Sequence, residues 1–350
     1  MIFEPSVNTE LYLNMKTGNV LRSLLLLFVA VVALTACGGE DPAKVGLLLG
    51  DSSQDRWAQD EAIFVAKVNE LGAEALVRES SNDPAKQVEQ ARELVKEGVD
   101  VIVILPSDAN AASEVVKVAH EAGIKVLAYD RIIKDCPLDY YISFDNVRVG
   151  ELQAEYALSV EPKGRYLVLA GPTSDNNSML FKQGQMATLK PKVEAGDIEV
   201  LDVIHTTEWS GEEAYDLAKE ALVKYDSLDV IIAANDDQAA GVRRALTEAG
   251  LLGVVKVTGQ DADLEACRAI IRGDQIMTVY KPIRAIANTA ALTAVSLALQ
   301  NSADGLDGRV DNGQREVPSI LLEPIKVDQD NMRANIVADE FHSEAELYNE

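Results

Sequence analysis

Histidine, cysteine and tryptophan are scarce in this chain of 350 residues, which holds three, three and two of them. His120, His205 and His342 fall in separate expected elements, so neither a histidine metal cluster nor a Ser-His-Asp triad has the residues it needs. No Walker A loop, G-x-S-x-G elbow, H-E-x-x-H pair or G-x-G-x-x-G turn after a strand is present, and the chain is read as a non-enzyme that needs no cofactor. Asp304, Asp307 and Asp311 lack the spacing of a calcium loop and are read as a solvated acidic stretch. Positive charge is also in deficit. Against 57 acidic residues stand 32 basic ones, a net charge of −25, which repels nucleic acid.

Long apolar runs are missing too, apart from one near the amino terminus. Leu24 to Ala33 is short for a membrane span, which needs about 20 residues. With Lys16 and Arg22 before it and Leu34-Thr35-Ala36-Cys37 after it, residues 15–36 read as a lipoprotein export signal, with Cys37 as the lipid-attachment site. Residues 1–14 carry Glu4 and Glu10, fit no signal, and suggest that the natural start is Met15. Residues 37–43 read as a tether holding a soluble body at the cell envelope, facing the periplasm or the extracellular side. Beyond Cys37 only Cys136 and Cys267 remain; an oxidising compartment would permit a bond, but they are expected in different lobes as buried free thiols.

What the chain does have is a likeness between its own halves. VGLLLG (Val45 to Gly50) is followed by DSSQDR, and YLVLAG (Tyr166 to Gly171) by PTSDNN, so Arg56 and Asn177 each lie six residues past a strand-ending glycine. DVIVILPSD (Asp100 to Asp108) matches DVIIAANDD (Asp229 to Asp237), and the strands ending at Asp130 and Asp261 also correspond. Short β-branched runs alternate with amphipathic segments such as Trp57 to Leu71, which predicts parallel sheets wound by helices. The ~310 residues after the signal exceed one comfortable core, so two lobes are expected on size alone. Ligands of such sheets bind beyond the carboxyl ends of the strands. Arg56, Asp130, Asn177, Asn235 and Asp261 all stand at such ends, which suits two lobes closing on a small molecule.

The strings LAYDR (Leu127 to Arg131), YISFDN (Tyr141 to Asn146), VGELQA, DNN (Asp175 to Asn177), GQDADL (Gly259 to Leu264), MTVYKPI (Met277 to Ile283) and ANTAA resemble those of the bacterial D-xylose-binding proteins. These are the sugar-binding components of ABC uptake transporters, in the type I periplasmic binding protein group with the ribose and galactose receptors. The resemblance runs from about Lys44 to the carboxyl terminus. It implies an α/β fold of two Rossmann-like lobes joined by a three-segment hinge. One lobe would take residues 44–145 plus 284–316 and the other 146–283 plus 317–350, with Asn301 to Pro318 as a loop at a crossing.

Carried over residue by residue, the resemblance implies that Arg56, Asp130, Arg131, Asp175, Asn177, Asn235, Asp261 and Lys281 hydrogen-bond a monosaccharide, with D-xylose foremost. Trp57 and Trp209 would hold the ring faces. The implied partners are that sugar, permease subunits and, through Cys37, a membrane; the protein would act as a monomer. The residues argue the same way on their own. A hydroxyl both donates and accepts, so a carboxylate beside a cation or amide suits it, and Asp130 with Arg131, or Asp261 with Lys281, would supply such sets. The C–H faces of a sugar want flat apolar partners. Taken alone, Asp130-Arg131 also fits a surface salt bridge, Trp57 a core residue of its own lobe, and Lys281 a mere marker of the crossing before Pro282. Asn146 is read as a helix cap. Asp130 and Asp261 as the acid–base pair of a glycosidase fail because neighbouring cations would depress both pKa values. A helix-turn-helix regulator fails for want of a basic amino-terminal domain. A sugar receptor feeding a chemotaxis or two-component partner would share the same body.

Overall fold

A computed structural model describes residues 41–50, 55–300, 302, 306 and 308–349. The expected signal segment and Cys37 lie outside them, as do Asp304 and Asp307. Five strands open the chain: β1 (Lys44–Leu49), β2 (Glu74–Glu79), β3 (Val101–Ile104), β4 (Lys125–Tyr129) and β5 (Tyr140–Phe144). Between them run α1 (Asp55–Glu70), α2 (Pro84–Lys96) and α3 (Ser113–Glu121). Local chemistry sets these limits. Asp83 caps α2 by accepting from the backbone N–H groups of Ala85 and Lys86, with Pro84 in the first turn where no N–H is needed.

The first sheet runs β11-β12-β5-β4-β3-β1-β2, where β11 is Gly308–Asp311 and β12 is Glu316–Leu322. All its pairs are parallel except the β11–β12 hairpin at the edge. Its central strands β1, β3 and β4 are apolar on both faces because helices cover both. Phe64 and Val68 of α1 pack one face together with Ile286, Ala290 and Ala294 of the long helix Ile283–Gln300. Leu94 of α2 and Val115, Val116 and Ala119 of α3 pack the other. Each such aliphatic side chain, fully buried, contributes roughly 1.5–3 kcal/mol. Helix Ile283–Gln300 is long and apolar enough to cross a bilayer, yet half of it is buried here against the sheet.

The second sheet, in the order β7-β6-β8-β9, is parallel throughout: β6 (Gly164–Ala170), β7 (Ile198–His205), β8 (Val230–Ala233) and β9 (Lys256–Val257). Leu167 and Leu169 face α6 (Gly211–Lys224) and α7 (Asp236–Glu248), while Tyr166 and Val168 face α4 (Asn146–Val160) and α5 (Asn176–Glu194). The short pair β10 (Thr278–Tyr280) and β13 (Ile325–Val327) packs with α8 (Leu264–Arg272), the turn Arg333–Val337 and α10 (Glu344–Tyr348). In chain order helix Ile283–Gln300 is then α9.

The chain passes between the two sheets after Phe144, around Lys281–Pro282, and after Leu322. The third passage differs from the expected boundary between 316 and 317. Ser319 to Leu322 pair in register with Tyr141 to Phe144, so β12 belongs to the first sheet, next to β5. The stretch expected as a crossing loop is instead, in its described part, the β11–β12 hairpin. Asn146 is not the cap of α4 either. That role falls to Asp145, whose side chain accepts from Arg148 N, and Asn146 is the first helical residue, buried. Cys136 and Cys267 are free and buried, one in each lobe's core.

Candidate functional site

The strand ends of the two sheets face one another across a cleft, and all ten residues singled out from the sequence line it, together with Phe181 and Gln260. The direct contacts between the facing side chains leave only a small enclosed space at its centre. Each lobe supplies its share by the same device, a polar residue placed just after a strand or at a helix start. From the first lobe come Arg56 and Trp57 in the first turn of α1, and Asp130 and Arg131 directly after β4. In the second lobe Asp175 caps α5, its carboxylate accepting from Asn177 N, and Asn235 caps α7 by accepting from Gln238 N, which leaves its amide nitrogen on the cleft side.

Asp130 and Asp261 share a strained backbone, with φ of 60° and 105°. Left-handed conformations of non-glycine residues persist where the surroundings fix them, and they gather at functional sites. At Asp130 the surroundings are dense: its carbonyl oxygen accepts from Ser143 Oγ at 2.6 Å, Tyr141 OH at 3.0 Å and Asn177 Nδ2 at 3.2 Å. Asn146 holds Asn177 in turn, donating to its Oδ1 at 3.0 Å.

The charged groups pair across the cleft in a pattern the sequence did not suggest. Arg56 donates to Asp130 Oδ2 at 2.5 Å and, from the other terminal nitrogen, to Asp261 Oδ1 at 3.2 Å. Arg131 pairs with Asp175, Nε to Oδ2 at 2.8 Å, rather than with Asp130. Asp261 and Lys281, expected together as a mixed set for a hydroxyl, both line the cleft without an ion pair between them. Lys281 makes no ion pair among the described residues; its ammonium lies 4.9 Å from the Phe181 ring centre and 5.9 Å from that of Phe144. Burial pulls its pKa below the usual lysine range against the attraction of Asp130. Asp130 is the opposite case. Burial works against its charge, but Arg56, Lys281 and Arg131 outweigh that and hold it below the usual carboxylate range. Three cations and three carboxylates therefore line one small chamber, which is balanced in charge and rich in both donors and acceptors.

The aromatic walls complete it. Trp57 is 4% exposed and does two jobs: it packs into the first lobe's core and carries the Arg56 guanidinium 4.2 Å above its ring. Trp209 belongs to the other lobe, where its indole N–H donates to Asp175 Oδ2 at 3.1 Å and its ring tilts against Phe181 with centres 6.4 Å apart. Gly171 makes room for it, since a Cβ there would lie 2.3 Å from the indole. Phe181 carries no signal in the sequence because one phenylalanine on a helix looks like core, and Gln260 carries none beside the strand-end carboxylate of Asp261.

A profile of the periplasmic binding protein domain matches residues 45–302. The chain belongs to the periplasmic binding protein family. D-xylose-binding periplasmic proteins of Escherichia coli K12 and Haemophilus influenzae are 41% and 38% identical to it over 95% and 93% of the chain, covering 100% and 98% of their own lengths. A carbohydrate transporter solute binding protein from Chloroflexus aurantiacus, solved with D-glucose, superposes with a TM-score of 0.83 at 30% identity, covering 89% of this chain and 99% of that one. Its two-lobed α/β architecture is thus the type I fold of that family. Periplasmic binding proteins hold their solutes without chemical change, so this one is not an enzyme, and its periplasmic relatives support the same compartment for it.

Proposed function

We propose that this binding protein captures a free monosaccharide, D-xylose foremost, in the cleft between its lobes and delivers it to the permease of an ABC importer. The observation that carries the reading is the balanced lining of three cations and three carboxylates between two tryptophans. A strongly charged solute would leave one set of partners uncompensated, whereas a polyol gives each carboxylate a donor and each cation an acceptor. Trp57 and Trp209, one from each lobe, meet the apolar faces of the ring. The names of the 41% and 38% identical relatives support D-xylose among sugars of this size.

In this mechanism the sugar replaces the direct contacts Arg56–Asp261, Arg131–Asp175 and Asn177–Asp130, bridging the lobes through its hydroxyls. The lobes close about the three passages near Asp145, Pro282 and Glu323, and affinity for the closed form drives the shift. The closed face then meets the permease, with the monomer tethered to a membrane through a lipid on Cys37. Titration with a panel of pentoses and hexoses tests the sugar: tightest binding of D-xylose supports the reading, and tightest binding of another sugar overturns that choice. Labelling with a radioactive fatty acid, compared with a Cys37→Ser variant, tests the tether; equal labelling of both refutes it.

A further inference from the structure

One buried carboxylate near the cleft does not line it. Asp60 lies on α1, four residues after Arg56 and hence on the same helix face, and is 2% exposed. Its Oδ1 accepts a short hydrogen bond from the hydroxyl of Tyr129, the residue just before Asp130. Its Oδ2 stands 3.6 Å from Arg56 Nε, and neither of these two atoms has a hydrogen-bond partner among the described residues. Leu47, Leu49, Phe64 and Glu61 line a small cavity beside it.

A carboxylate buried in such apolar surroundings carries a desolvation penalty of several kcal/mol, and well-packed apolar groups of the same volume often stabilise a core better. Stability alone is therefore a weak reason for its presence. Geometry supplies a stronger one. A guanidinium is planar, so whatever fixes its Nε end sets where both terminal nitrogens point. Those two nitrogens are the ones that take Asp130 in one lobe and Asp261 in the other.

We propose that Asp60, clamped from beneath by Tyr129, is a positioning residue for ligand binding: it fixes the plane of Arg56 so that the guanidinium addresses both lobes and the solute between them. This rests on the sugar-binding reading above. The role requires the charged form. Burial pushes the Asp60 carboxyl up to about 7, against the pull of Arg56 and Tyr129. The groups facing it are Arg56 from its own helix, Tyr129 at the end of β4 and Asp130 just after it, with Glu61 at the rim of the same cavity. Asp236 and Asp263 in the other lobe titrate in the same range, so the informative quantity is the difference between Asp60 variants and the parent protein.

The test is calorimetric titration of the full chain and of Asp60→Asn, Arg56→Lys and the double variant, using whichever of D-xylose, D-ribose, D-glucose, D-galactose and L-arabinose binds the parent tightest. At about pH 8 the Asp60→Asn variant binds about tenfold more weakly, because the buried charge that orients the guanidinium is gone. In the Arg56→Lys background the same change has less than about a twofold effect, because the group it positions is gone. Between about pH 8 and 6 the parent loses affinity relative to Asp60→Asn, as Asp60 takes up its proton. Parental affinity in Asp60→Asn, or an equal loss in both backgrounds, overturns the proposal. Should Asp60→Asn fail to fold, Tyr129→Phe decides, because it removes only the hydroxyl that holds Asp60; weaker binding supports the role and unchanged binding refutes it. A parent silent on all five sugars refutes the sugar reading instead, which keeps the two failures apart.

Discussion

Replacing Asp261 with Asn should separate affinity from stability. Asn tolerates a φ of 105° about as well as Asp does, so the backbone stays in place. The change removes a carboxylate that is 13% exposed at its side chain and that accepts from Arg56 and Gln260. A charged hydrogen bond to a ligand hydroxyl is worth about 1.5–3 kcal/mol, so affinity should fall about 10- to 100-fold. Stability follows different terms. The ion pair with Arg56 is lost, but Arg56 keeps Asp130 as its partner, so no buried cation is left unpaired. Against its loss stands relief of repulsion, because Asp261 adds to the burial that pushes Asp236 up to about 7 and Asp263 up to about 8. The ligand-free Tm should therefore stay within about 4 °C of the parent. Titration calorimetry and thermal unfolding on the same preparation read both. Affinity within about twofold of the parent would remove Asp261 from the site; a Tm lowered by more than about 10 °C would assign it to the fold instead.

Other outcomes follow from neighbouring geometry. Gly171→Ala places a methyl 2.3 Å from the Trp209 ring, so affinity should drop by about 1 kcal/mol or more, read by titration, with Tm changing little. Gly150→Ala would set a Cβ 1.9 Å from the carbonyl oxygen of Phe181, where α4 and α5 touch; overpacking there should lower stability by about 1–3 kcal/mol in urea unfolding. Asp60, Asp236 and Asp263 are each raised far above an unfolded aspartate. Between about pH 4 and 8 the folded protein therefore holds more protons than the unfolded chain, and stability falls as pH rises through that window. Tm should accordingly be higher at about pH 5.5 than at about pH 8, and a Tm that rises with pH would contradict these assignments. Both tryptophans line the cleft, so ligand should change the emission of the parent and, in a Trp209→Phe variant, that of Trp57 alone.

The sequence made strand ends visible because a parallel sheet buried on both faces leaves unbroken apolar runs, and the polar residue after each run must sit where the sheet meets the cleft. Asp130, Asp261, Asn177 and Asn235 were found this way. Trp209 needed the family resemblance, for it stands in an irregular loop before α6. Pairing was not legible. Which cation meets which carboxylate depends on how the lobes face each other, so nothing in the sequence shows that Arg131, adjacent to Asp130, reaches Asp175 in the other lobe. The β11–β12 hairpin was hidden because β11 is polar and largely exposed, as an edge strand permits, and Pro318 interrupts the start of β12, so the stretch reads as loop. Asp145 was passed over as cap in favour of Asn146 because both residue types cap well, and only the backbone at Asp145 decides between them.

The central claim is that the cleft holds a monosaccharide and prefers D-xylose. Calorimetric titration of the protein with D-xylose, D-ribose, D-glucose, D-galactose and L-arabinose tests it most directly. The account predicts saturable one-to-one binding with D-xylose clearly tightest; no heat of binding from any of the five would contradict it.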